Sequence, residues 1–316
     1  MRSSQQSTVN QLLNDETLQS VLLLDLYEKM AYHHYQTSDI PGSWLSHAQG
    51  ALSILQSRPR SDFSNLATQQ LATRTVIALT ISCGVTGVPI PEGLRELYHD
   101  LDGLVQSAKW TFISLLMGLV NFRAEMRSGT LEISEILSRA RELDNQFARA
   151  ETKIPRDWWP RRVNARVLES FDCYYEIYPC HYTTQVFNAY RIMRLELSGV
   201  IRKFSPGTSV NETIAEITQA ICAAVPQFML PGVIPGNKLP LSPLQILECS
   251  GVLTPLYVAA QITTHTAMRE WIKRSLLYMA DQGVKLAHSV AHILSVQPEE
   301  DYWVIFKMVG SCATTA

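Results

Sequence analysis

The sequence lacks a marked excess of charge of either sign. Its 316 residues include 27 basic and 29 acidic side chains, for a formal net charge of -2. A dedicated nucleic-acid-binding protein needs a clustered basic excess to neutralise phosphates, so that class is not expected. Residues 1–8 are polar and do not form the apolar run of a secretory signal. These absences predict a nuclear or cytoplasmic protein.

Long uninterrupted apolar runs are also scarce. The stretches 217–237 and 249–268 carry no charge, but three prolines break the first, and the second holds threonines and a histidine. Spanning a bilayer takes about 20 predominantly apolar residues. We therefore expect both stretches in the protein core and no interaction with a membrane.

Signatures of metal and cofactor sites are missing as well. The six cysteines are scattered without a CxxC pair, and the sequence has no GxSxG, P-loop or GxGxxG motif. His288 and His292 have the i, i+4 spacing of a shared metal site, but Ser289 stands where a zincin has its glutamate. We expect no metal and no cofactor.

What is present is pervasive helical periodicity. From Leu131 to Phe147 the apolar residues recur every three or four positions, and the stretch Thr184 to Phe204 behaves similarly. The run from Thr75 to Ser82 is rich in β-branched residues but also fits a helix. Further helices are predicted at 9–35, 43–57, 66–82, 92–101, 108–127, 163–176, 211–224, 243–266, 267–281 and 284–296. The fold class is therefore all-α, a single compact multi-helix domain of helical-array type with almost no sheet.

One segment interrupts this pattern. Residues 226–243 hold five of the 15 prolines and two glycines, which predicts an extended loop. A loop of this length is typical of a lid or a binding segment. We expect residues 1–19 to be a tail or helix start and residues 20–310 to form the domain.

Aromatic residues are unusually dense between positions 158 and 190. Such rings either fill a core or line a small-molecule pocket, and the sequence leaves both open. A pocket would have the 226–243 loop near its mouth. Its ligand-binding residues would be Trp110, Trp158, Tyr174, Tyr175, Tyr178 and Tyr190. In an enzyme His181 and Tyr182 would be catalytic, because an imidazole titrates nearest neutral pH.

Several motifs between about 20 and 296 follow one another in a recognisable order. They are Leu22–Glu28, Trp44 with His47 and Gly50, the Trp158-Trp159 pair, Asn188–Arg194, Leu253–Ala260 and Arg269–Ile272. Together they resemble the fungal-specific transcription factor domain, the all-α effector domain of fungal zinc-cluster regulators. The chain departs from that family at Arg58-Pro59, where an Arg-Gly turn is usual.

A second departure concerns DNA binding. The family's zinc cluster needs two CxxC-containing halves near the N-terminus, whereas the first cysteine here is Cys83, inside a predicted helix. The resemblance therefore implies an effector domain standing alone, without direct DNA contact. It would regulate transcription, for example of a secondary-metabolite pathway, through a protein partner or a small lipophilic ligand, and homodimer formation stays open.

An enzyme is the alternative. An aromatic pocket in an all-α domain suits a cofactor-independent cyclisation or isomerisation of a lipophilic natural product, as in a pericyclase. Such chemistry needs shape, exclusion of water and one or two hydrogen-bond donors, and it leaves no sequence motif.

Overall fold

A computed structural model describes residues 14–31, 43–105, 107–164, 171 and 174–309. The structure is 75% helical, and the described residues include one two-stranded sheet. The all-α prediction is therefore confirmed. Contacts divide the chain into two compact units, residues 1–130 and 131–316.

The described residues of the first unit form five α-helices. They are α1 (Asp15–Ala31), α2 (Ser43–Gln56), α3 (Leu66–Thr86), α4 (Glu92–Leu101) and α5 (Ala108–Ser128), with a 3₁₀ turn at Arg60–Ser64. Helix α3 packs against each of the other four and buries residues all around its surface, including Leu79 and Cys83. The ambiguous run Thr75 to Ser82 lies inside α3, as predicted.

Local sequence signals fix the ends of α3. The side chain of Asn65 accepts a hydrogen bond from the Ala67 amide at the N-terminus. At the C-terminus Gly87 adopts a left-handed conformation with φ of 73°, which a residue without a Cβ enters at little cost.

In the second unit, the part that the structure describes forms nine α-helices and the sheet. The helices are α6 (Ile133–Glu151), α7 (His181–Phe204), α8 (Thr208–Ala224), α9 (Pro226–Met229), α10 (Pro243–Ser250), α11 (Leu253–Ile262), α12 (Thr266–Asp281), α13 (Lys285–Val296) and α14 (Tyr302–Val309). Helix α11 is the centre of this unit. Residues 253–260 are all buried, and α11 packs against α7, α8, α12, α13 and α14.

The predicted helix at 163–176 is wrong. Strand β1 (Arg161–Asn164) pairs antiparallel with β2 (Tyr174–Ile177), with Val163 opposite Tyr175. The sequence Tyr-Tyr-Glu-Ile has the aromatic and β-branched residues that favour strands, and cross-strand pairing stabilises them. Residues 165–170 and 172–173 lie outside the described residues.

The proline-rich segment is only partly an extended loop. Pro226 begins α9, and all four residues of this short helix are buried. Pro243 stands at the first position of α10, where a proline costs no intrahelical hydrogen bond. Residues 230–242 form the loop between the two helices. In the described part of the chain no helix is long and apolar enough to cross a membrane.

Candidate functional site

The eight residues predicted for a pocket are divided between the two units of the chain. Trp110 lies on α5 in the first unit, where it is 4% exposed and its ring stacks on Tyr98 with centroids 4.4 Å apart. The other seven lie in the second unit. The site is therefore built from that unit alone.

Three of those seven are core residues. Tyr175, Tyr178 and Tyr190 are each at most 8% exposed. The Tyr190 ring meets Phe147 edge-on, and burial raises the pKa of the Tyr190 phenol, with the Glu151 charge adding to the effect. Tyr178 contacts the Phe187 ring. These rings fill the space between α6, α7 and the sheet, which is the core interpretation of the aromatic cluster.

The remaining four side chains reach the surface. Tyr174 is half-buried on β2 and lies under the Arg162 guanidinium, 4.0 Å from the ring centroid. Trp158 and Tyr182 are half-buried and meet edge-on with centroids 5.6 Å apart. Burial, with a further effect of Cys180, raises the pKa of the Tyr182 phenol. Tyr182 is therefore a neutral hydroxyl group at physiological pH.

His181, the fourth of these side chains, contacts the short helices α9 and α10. It is the first residue of α7, which a reciprocal contact between Cys180 and Thr183 caps. Its Nδ1 lies 2.6 Å from Oε1 of Glu248 on α10. On one side the imidazole stacks on Phe228 of α9, with ring centroids 4.6 Å apart. The side chain is 19% exposed.

The position of Glu248 favours one tautomer of the His181 imidazole. A carboxylate facing Nδ1 favours the proton on that nitrogen and leaves Nε2 as the hydrogen-bond acceptor. In the described part of the chain, Nε2 has no hydrogen-bond partner. His181 can therefore accept a proton or a hydrogen bond from a bound molecule.

A buried network of charges surrounds Arg191, ten residues after His181 on α7. Its Nε lies 3.7 Å from Glu151 and its Nη2 3.9 Å from Glu176, and Nη1 donates to the Ala220 carbonyl. The Tyr178 hydroxyl donates to Glu176 at 3.0 Å. Burial acts to lower the pKa of Arg191, but Tyr178 and the two carboxylates outweigh it and raise the pKa, so the cation persists.

The residues that complete the site were not predicted from the sequence. Glu248 is 67 positions from His181, and Phe228 lies in a segment that was expected to be extended. The sequence did carry a weak signal, because Ser242-Pro243 and Gln245 form a helix-start pattern that places Glu248 in a helical turn. Nothing in it indicated that this turn faces α7.

Among the residues that the structure describes, no group of three or more potential ligands surrounds a metal position. His288 and His292 are both exposed on α13. Cys180 is exposed at the start of α7, whereas Cys83, Cys222 and Cys249 are buried.

Comparisons with known proteins add no relative, because no protein-family model, curated protein or solved structure matches this chain.

Proposed function

We propose that the chain is an effector-binding regulatory module, which takes an apolar small molecule at the surface formed by Trp158, His181 and Tyr182. The observation that carries this proposal is the position of the His181–Glu248 pair. The pair orients a polar group on α7 at the position next to Tyr182, whose half-buried ring meets Trp158. Apolar area with one or two oriented polar groups is typical of small-molecule sites.

The surroundings on α10 support an apolar ligand. Leu244 is 63% exposed and lies one turn before Glu248, on the same side of the helix. Leu247 is 53% exposed. From residue 217 to residue 247 the only charged residue is Lys238. A neutral lipophilic molecule fits such a surface better than an anion, which the Glu248 carboxylate would repel.

The regulatory role rests on the resemblance to the fungal transcription factor domain. The helical architecture agrees with what that resemblance implies, and the chain has neither a zinc-cluster pattern nor a basic excess. We therefore expect the module to act in transcriptional regulation through a partner protein or ligand. The purified chain should give no sequence-specific shift of duplex DNA at physiological salt.

The second candidate is an enzyme that cyclises or isomerises a lipophilic molecule without a cofactor. The observation that favours it is the available Nε2 of His181, since Glu248 supports the imidazole as a carboxylate supports a general base. The Tyr182 hydroxyl would supply a hydrogen bond of about 0.5–1.5 kcal/mol.

The two functions are separated by replacing the gene with defined alleles and profiling both transcripts and metabolites. A regulator predicts that deletion lowers a set of transcripts together. An enzyme predicts an accumulated intermediate with unchanged transcripts. His181→Phe should reproduce the deletion in either case, because it removes Nε2 while keeping an aromatic ring.

His288→Phe is the matched control, because His288 is exposed on α13 and outside the site. It should behave as the unmodified allele. If His181→Phe leaves both profiles unchanged while deletion alters them, the His181 site is not where the protein acts.

A further inference from the structure

Three buried side-chain amides connect the proline-rich segment to the start of α7. They belong to Gln227, Asn237 and Gln245, and are called the amide network below. Each of the three residues is at most 8% exposed. Buried amides are costly unless their hydrogen bonds are made, so the network specifies one arrangement of the chain around it.

Gln227 on α9 makes the contacts with α7 and the sheet. Its Oε1 accepts from the Tyr178 amide at 2.9 Å, and its Nε2 donates to the Thr184 hydroxyl. Tyr178 follows β2, and Thr184 lies in the first turn of α7. Gln227 therefore ties α9 to the turn of α7 that begins with His181.

Asn237 secures the other end of α9. Its Nδ2 donates to the carbonyls of Gln227 at 2.9 Å and Leu230 at 2.8 Å. Carbonyls at a helix C-terminus lack intrahelical partners, and Asn237 provides two of them with a donor. Its Oδ1 accepts from Nε2 of Gln245 at 3.5 Å, and the Gln245 side chain in turn accepts from the Ser242 amide that precedes α10.

The network thus holds both groups that touch His181. Phe228, which stacks on the imidazole, directly follows Gln227 in α9. Glu248 lies one turn after Gln245 in α10. A further contact joins the two short helices, because the Cys249 thiol donates to the Phe228 carbonyl at 3.4 Å.

We propose that Gln227 and Asn237 are positioning residues, which hold Phe228 and Glu248 against His181 and so keep the imidazole proton on Nδ1. This inference rests on the proposed function, which makes His181 the polar group of the ligand site. Neither amide touches the ligand. Their loss should change the state of the imidazole while the helices stay folded.

The test is a long-range nitrogen NMR spectrum of the full chain labelled at histidine, at about pH 9, where histidine is neutral. The sequence has eight histidines, and His181→Phe identifies the signal of interest by its disappearance. In the unmodified protein the Nδ1–H tautomer should predominate at His181. Glu248→Met, which removes the acceptor, should shift it towards the Nε2–H form that free histidine prefers.

Asn237→Ala and Gln227→Met should shift the His181 tautomer as Glu248→Met does. Asn237→Asp should act like Asn237→Ala, because it keeps the acceptor but loses both donations from Nδ2. Asn211→Ala is the control, since Asn211 is exposed on α8 and should leave the tautomer unchanged. Thermal unfolding and circular dichroism verify that each variant is folded.

If a strong variant fails to fold, Gln245→Glu is the milder substitution. It introduces a carboxylate where Gln245 donated to Asn237, so Gln245→Met, which buries no charge, is used beside it, and a partial tautomer shift is expected of both. An unchanged His181 tautomer in folded Asn237→Ala or Gln245→Met protein overturns the positioning role. An unchanged tautomer in Glu248→Met protein instead contradicts the His181–Glu248 pair and thus the proposed function.

Discussion

Replacing Arg191 by methionine should destabilise the protein more than any surface change in the same network. The guanidinium is 9% exposed and faces Glu151 and Glu176, whose side chains are 17% and 11% exposed. Removing one partner of a buried ion pair costs roughly 3–5 kcal/mol, because the other charge is left without compensation.

The structure places the expected loss at the lower end of that range. Glu151 keeps a second cation, Arg194, at 3.3 Å, and Glu176 keeps the Tyr178 hydroxyl at 3.0 Å. We therefore expect Arg191→Met to lower the free energy of unfolding by about 3 kcal/mol. The assay is equilibrium unfolding in urea, followed by tryptophan fluorescence and by circular dichroism.

Two further variants test whether the loss of stability comes from the buried ion pairs of Arg191. Arg162→Met removes a cation that lies 3.8 Å from the Glu176 carboxylate but is 60% exposed. It should therefore lower the free energy of unfolding by less than about 1 kcal/mol. Combining Arg191→Met with Glu176→Gln should recover part of the loss, because no uncompensated charge is left at that position. Equal losses for Arg191→Met and Arg162→Met would refute the reasoning.

Three other predictions concern single positions. Exposed Cys180 should react with a thiol reagent in the folded protein, whereas buried Cys249 should react only on unfolding. Burial, with the Glu248 charge, raises the pKa of the Cys249 thiol to about 12. Mass spectrometry of labelled peptides locates the label. Burial, with nearby Glu300, raises the pKa of Tyr257 from 10.0 to about 12. The stability that neutral Tyr257 contributes is therefore complete below pH 10 and is lost as the pH rises towards 12. Tyr257→Phe should flatten this fall in the free energy of unfolding between pH 10 and pH 12. Gly87→Ala should cost about 1–2 kcal/mol in urea unfolding, because φ is 73° and a Cβ would strike the Arg127 side chain, whereas Gly50→Ala, on an open helix surface, should not destabilise the protein.

Helices could be predicted from the sequence because their determinants are local. The apolar spacing from Leu131 to Phe147 lies within α6, which the structure extends from Ile133 to Glu151. The stop at Ser205-Pro206 likewise follows α7. In both helices an amphipathic face determines that the helix forms, and a chain breaker within a few residues determines where it ends.

Elements that depend on distant partners were not predictable in the same way. Tyr174–Ile177 is a strand because it pairs with Arg161–Asn164, and the spacing of its residues does not reveal that partner. The short helix at Pro226–Met229 is held by distant contacts, because its Gln227 side chain accepts from the Tyr178 amide and Asn237 donates to its Gln227 carbonyl. Such long-range contacts override local propensity.

The candidate site was likewise predictable only where its signals are local. The density of aromatic residues drew attention to residues 158–190, but half-buried Trp158 and Tyr182 could not be distinguished from core Tyr190 by spacing alone. Glu248 reaches His181 only after the fold brings α10 to the start of α7. No sequence motif predicts this contact between Glu248 and His181.

The most direct test of the ligand site is a fluorescence titration of the full chain with N-phenyl-1-naphthylamine, a neutral apolar probe. We predict saturable binding to the unmodified protein and at least tenfold weaker binding to Tyr182→Ala, which removes the ring against Trp158. Tyr27→Ala, at an exposed position on α1, should bind as the unmodified protein does. No saturable binding to the unmodified protein, or equal binding to all three, would contradict the account.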